Sequence, residues 1–119
     1  MFYSPLRYPG GKNRLAKFIA QICVDNNING HYIEPYAGGA SVALYLLFEN
    51  KVKEITINDK DKSIYAFWHS VLYKTNDLIN LIIKTPVNIK TREIQRKIQK
   101  NKASEKDLLK LGFSTFFLK

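Results

Sequence analysis

Two acidic residues and a glycine pair stand at spacings that suit the binding of a nucleoside. The first acid lies in Tyr32-Ile33-Glu34-Pro35-Tyr36-Ala37-Gly38-Gly39-Ala40-Ser41, an apolar run that ends on an acid, a proline and two glycines before a helix-like segment. Strand, glycine turn and helix start in that order form a pocket that can hold a charged cofactor against backbone N–H groups. The second acid, Asp59, ends Glu54-Ile55-Thr56-Ile57-Asn58-Asp59 and follows Glu34 by 25 residues. An acid at the tip of a second strand, roughly 20 residues or more past the glycine turn, is where nucleoside-binding α/β folds place the acceptor for ribose hydroxyls. Each feature also has a plainer role. Asp59 can cap a helix starting near Lys60, and Tyr36 can be a core aromatic.

A different chemistry is suggested by the second half of the chain. Residues 1–60 carry seven Lys and Arg against five Asp and Glu, a net +2, whereas residues 61–119 carry twelve against five, a net +7. Nine basic and three acidic residues fall between Lys84 and Lys110. Lys90, Arg92, Arg96, Lys97 and Lys100 are the candidate phosphate contacts, because cations over a polyanion gain affinity by releasing counterions. The alternative is a solvated helical face.

The elements that must position these groups follow from the pattern. Two prolines and a glycine pair make Tyr3 to Lys12 an extended arm closing in a tight turn. A helix is expected from Asn13, with Leu15, Phe18, Ile19 and Ile22 on its apolar face, and Asn26-Asn27-Ile28-Asn29-Gly30 stops it. His31 to Pro35 forms the first strand. Ser41 caps a helix running to Asn50, and Glu54 to Asp59 is the second strand. A helix then carries Ile64, Tyr65, Phe67, Trp68, Val71 and Leu72. Alternating strand and helix imply a parallel sheet with right-handed crossovers, hence an α/β fold. Leu78 to Ile83 is expected as a short helix ending before Pro86. Thr91 caps a basic helix with Ile94 and Ile98 on one side, and Ser104-Glu105-Lys106-Asp107 resembles a capping box opening a last helix. Two strands make an incomplete sheet, and the apolar stretch from Leu111 to Lys119 has no stop signal, so a truncated chain is expected.

Composition bounds the rest. With 45% hydrophobic and 13% aromatic residues among 119, the chain is globular and sized for one small domain or a piece of a larger one. Its single cysteine, Cys23, cannot form an internal disulfide and has no ligand partner at metal-binding spacing, so a buried thiol and no metal are expected. No apolar run approaches the roughly 20 residues of a membrane span, which points to a cytoplasmic protein. His31 and His69 have no partner at catalytic spacing and are assigned no role.

Three motifs in order resemble those of the Dam-type adenine-specific DNA methyltransferases. They are Tyr8-Pro9-Gly10-Gly11-Lys12, then Glu34-Pro35-Tyr36-Ala37-Gly38-Gly39, then Asn58-Asp59. The resemblance covers about residues 5–75. It implies an α/β fold containing an incomplete Rossmann-like sheet for S-adenosylmethionine in residues 1–75, and the start of a helical target-recognition domain for double-stranded DNA in 76–119. It further implies a cofactor site of Tyr8, Lys12, Glu34, Pro35, Tyr36, Gly38, Gly39 and Asp59. Lys12 is suited to neutralise the methionine carboxylate, Tyr8 to wall it, Glu34 to hold the ammonium and Asp59 to accept from the ribose. The family's Asp-Pro-Pro-Tyr acceptor loop has no counterpart, since the four prolines are Pro5, Pro9, Pro35 and Pro86. A missing C-terminal half and no turnover by the chain alone are therefore expected. Two other readings stand beside this one. A nicotinamide oxidoreductase would need Gly-x-Gly-x-x-Gly where Ala37-Gly38-Gly39-Ala40-Ser41 stands, and a small basic nucleic-acid-binding module would use the glycines only as turns.

Overall fold

His31–Glu34 and Glu54–Ile57 each alternate exposed and half-buried residues, and they form the strands β1 and β2. The two pair in parallel, with His31 opposite Glu54 and Glu34 opposite Ile57. They were located in a computed structural model that describes residues 3–6 and 13–119. The second strand is shorter than its sequence suggests, because Asn58 and Asp59 leave the ladder to bond the loop after β1.

The chain forms two compact units, Met1–Asp59 and Lys60–Lys119. In the first, a 3-10 turn at Asn13–Leu15 leads into α1, Ala16–Asp25, and the crossover between the strands carries α2, Ser41–Phe48. The face that α1 buries is Ala16, Ala20 and Cys23, packed with Val42, Leu46 and Val52. Of the larger apolar residues expected there, Ile19 is half-buried and packs against this cluster, whereas Leu15, Phe18 and Ile22 are exposed. Small residues at a helix contact let the backbones approach, so the alanine stripe, not the bulkier one, faces α2. Cys23 is buried with a free thiol. α2 carries no charge, and Val42, Ala43 and Leu46 are fully buried. Ser41 does not cap it. Ala40 occupies that position in the left-handed region (φ 53°), and no side chain caps the helix. Asn27 (φ 55°) and Asn50 (φ 57°) follow α1 and α2 in the conformation that ends helices.

The second unit is helical: α3, Lys62–Tyr73; α4, Thr75–Lys84; α5, Ile89–Lys100; and α6, Leu108–Leu118. α6 is the common partner of the other three. Phe67 stacks on Phe116 with centroids 6.1 Å apart, and Ile64, Phe67 and Leu111 are wholly buried. Three caps differ from expectation. Asp61, not Asp59, caps α3 by accepting from the Ser63 N–H at 2.9 Å. Asn88 caps α5 by accepting from the Thr91 N–H at 2.8 Å, so Thr91 is already inside the helix. Asp107 caps α6 by accepting from the Lys110 N–H, which leaves Ser104 in the preceding turn. In all three an Asp or Asn directly before the helix accepts from a free N–H of its first turn.

Candidate functional site

Past the last paired residues, β1 and β2 continue as a strap of three hydrogen bonds. The Asn58 N–H donates to the Glu34 carbonyl at 2.9 Å, and the Ala37 N–H donates to the Asn58 carbonyl at 2.8 Å. The Gly38 N–H then donates to Asp59 Oδ2 at 2.9 Å. Gly38 sits at φ 50°, where a side chain would be strained. The turn closes as the Ala40 N–H donates to the Ala37 carbonyl at 2.7 Å, and α2 begins directly after. The strap brings Glu34, Gly38 and Asp59 together at the carboxyl ends of the parallel strands, the end at which open α/β sheets place ligands.

Glu34 is half-buried and shares a strand face with Tyr32, whose hydroxyl donates to Glu34 Oε1 at 3.4 Å. Burial first, and the Glu34 charge second, push the Tyr32 phenol up to about 12. Glu34, Pro35 and Tyr36 line a hollow of about 310 Å³ together with Leu15, Ile19 and Val42. That volume lies at the lower end of the range for small-molecule sites. Tyr36 is 72% exposed, which rules out a core role for it. Gly38 and Gly39 are buried in the turn. Tyr8 and Lys12, with the rest of their motif, lie outside the described residues.

On α5 all five candidate phosphate contacts are exposed. Arg92, Arg96 and Lys100 form one row at four-residue spacing, and Lys90 and Lys97 form a second beside it. Ile94 and Ile98 share one side of the helix, as expected, but the face that packs on α6 lies beside the Arg92 row. Ile94 is 50% exposed, whereas Gln95 is buried at 8%. Gln99 explains why: its Nε2 donates to Thr115 Oγ1 at 3.0 Å, and its Oε1 accepts from Ser63 Oγ at 2.9 Å. Ser114 Oγ donates to the Gln95 carbonyl at 2.9 Å. A polar seam, not an isoleucine stripe, fixes the face that α5 buries. A hollow of about 690 Å³ lies in this unit against the end of α6 and includes Arg92 but none of the cofactor residues. Among the described residues no group of three or more His, Cys, Asp or Glu could hold a metal, and no helix is long and apolar enough to cross a membrane.

Sequence reasoning singled out Glu34, the glycines and Asp59 separately and missed what joins them. Tyr32 was also missed, although its two-residue spacing from Glu34 places both on one strand face.

A family model described as D12 class N6 adenine-specific DNA methyltransferase matches residues 8–108. The chain belongs to that family. The match spans the strap and the whole basic helix, and it makes adenine in DNA the substrate of the family's reaction. No curated protein and no solved structure gives a match.

Proposed function

We propose that the chain holds S-adenosylmethionine at the ends of β1 and β2 and double-stranded DNA along α5, as the donor-binding and DNA-contacting part of an adenine methyltransferase. The observation that carries this reading is the strap, which gathers Glu34, Gly38 and Asp59 at one end of a parallel strand pair. The residues fit the donor: a half-buried carboxylate for its ammonium, a turn whose backbone can come close, and a second carboxylate for its ribose. Bound, the donor supplies a methyl group activated on a sulfonium. Lys12 neutralises its carboxylate, Tyr8 and Tyr36 flank it, and Pro35 holds the backbone between Glu34 and Tyr36. In this reading β1 and β2 belong to a Rossmann-like sheet, residues 1–75 serve the donor, and residues 76–119 begin the target-recognition region.

Methyl transfer to an exocyclic amine needs an acceptor group and an aromatic to stack the extruded base. Residues 1–119 contain no Pro-Pro pair of the kind that carries them in the resembling family, so the chain alone binds donor and DNA without turnover. Calorimetry with S-adenosylhomocysteine and with NAD tests the donor assignment. Binding of the first, weakened by Lys12→Ala while DNA affinity is retained, supports it; tight binding of NAD with no response to S-adenosylhomocysteine overturns it. Methylation of adenine in duplex DNA by the 119 residues alone would overturn the claim of no turnover.

A further inference from the structure

We infer that Asp59 is a positioning residue for the glycine turn, acting on bound donor through Gly38 as well as through the ribose. The inference rests on the donor-site reading above. Of the three strap bonds, the first two run between backbone groups and form whatever side chains are present. The third does not: Gly38 N–H donates to the Asp59 side chain at 2.9 Å. The identity of residue 59 therefore decides whether the strap reaches Gly38. A carboxylate accepting from a backbone N–H makes a short, charge-assisted bond, stronger than its neutral counterpart.

What that bond restrains is the turn beyond Ala37. Ala37 is held by Asn58. Gly38 lies at φ 50°, one of many conformations open to glycine, so the Asp59 bond helps to hold it there. Gly39 and Ala40 follow, and Ala40 (φ 53°) carries the carbonyl that accepts from the Leu44 N–H at the start of α2. Removing the Asp59 carboxylate thus loosens the wall of the site before any ligand arrives. A side chain that merely received the ribose would leave the empty turn unchanged.

The two roles separate by combining a change in the protein with a change in the ligand. Wild type, Asp59→Ala and Asp59→Asn are titrated with S-adenosylhomocysteine and with its 2′,3′-dideoxy analogue, and Gly38 amide exchange is followed without ligand. Asparagine keeps a carbonyl oxygen able to accept from Gly38, so it rescues the clamp while weakening ribose recognition. With the dideoxy analogue, Asp59→Ala is expected to bind about tenfold more weakly than wild type and Asp59→Asn within about threefold. Gly38 exchange should quicken about tenfold in Asp59→Ala and stay near wild type in Asp59→Asn. Equal affinity of wild type and Asp59→Ala for the dideoxy analogue, or unchanged Gly38 exchange, overturns the positioning role. If wild type binds neither ligand, the donor reading falls, and the exchange of Gly38 still decides the clamp.

Discussion

Gly112 in the middle of α6 offers a quantitative test of the scaffold that presents the basic helix. A Cβ added there would lie 2.6 Å from the Ala66 carbonyl oxygen and 2.7 Å from Ser70 Oγ. Ala66 O belongs to the backbone of α3 and already accepts from Ser70 Oγ at 2.7 Å, so it has no flexible end to move. Reaching ordinary contact at 3.4 Å requires the two helices to part by several tenths of an ångström. Overpacking of this kind costs about 1–3 kcal/mol, and displacing the Ser70 hydroxyl adds about 1 kcal/mol. Against this, alanine is better than glycine inside a helix by about 0.8–1 kcal/mol. The balance for Gly112→Ala is a loss of about 2 kcal/mol, or roughly 8–16 °C in melting temperature for a unit of this size. Trp68 is the only tryptophan and lies buried on α3, so its fluorescence during urea unfolding reads this unit directly. The midpoint should fall with the slope unchanged. Gly30→Ala is the control: its Cβ would meet nothing within 4 Å, and stability should hold or rise by about 0.4–1 kcal/mol. Gly112→Ala as stable as wild type would refute the close seating of α6 on α3.

Three further expectations concern charge. The Tyr32 phenol, pushed up to about 12 from 10.0, is favoured neutral in the folded state, so its contribution is present below pH 10 and is lost as pH rises toward 12. Tyrosinate absorbance and unfolding in that window should show it, and Tyr32→Phe should abolish it. Burial alone would raise the Asp61 carboxyl, but its bonds from the Ser63 N–H and from Lys102 at 3.1 Å outweigh this and hold it below 3.8. Its stabilisation is therefore present above pH 3.8 and lost as pH falls through the lowered value; an acid limb of Trp68-monitored stability that is the same in Asp61→Asn would contradict this. Finally, Arg96→Gln with Lys100→Gln should weaken DNA binding across all sequences and make the dependence of log K on log salt shallower by about one per residue. Filter-binding across a salt series measures it, and an unchanged slope would remove these side chains from the interface.

Much of this organisation was legible because it depends on local pattern. The runs ending on Glu34 and Asp59 marked both strands, and charge counting marked α5 with its five exposed cations. The misreading of the α1 face needed knowledge of the partner helix. Leu15, Phe18 and Ile22 have the apolar spacing of a core face, yet the space beside α2 admits only Ala16, Ala20 and Cys23. On α5 the side set against α6 is keyed by Gln99, which bonds Thr115 and Ser63, while Ile94 stays 50% exposed. The caps failed for a more local reason. Ser41, Thr91 and Ser104 all had suitable chemistry, but the backbone entering each helix set the boundary elsewhere. Within the site, the separate residues could be named, whereas the Gly38–Asp59 bond spans 21 positions and depends on the parallel register, which no local pattern contains.

The polar seam bears directly on how α5 can serve a polyanion. An isoleucine stripe buried against an apolar partner tolerates a helix turning by a fraction of a residue, because apolar contact has no direction. Gln99 has no such tolerance: its amide meets Thr115 on one side and Ser63 on the other, and a small rotation would strand donor and acceptor in a buried place. With its buried side fixed in rotation, the rest of the helix surface is fixed too, including the neighbouring row of Arg92, Arg96 and Lys100 and the Lys90 and Lys97 pair on the far side. Five cations on a helix free to roll would still attract DNA. A helix keyed by Gln99 presents them in one arrangement, which is what separates a positioned phosphate contact from a diffuse positive charge.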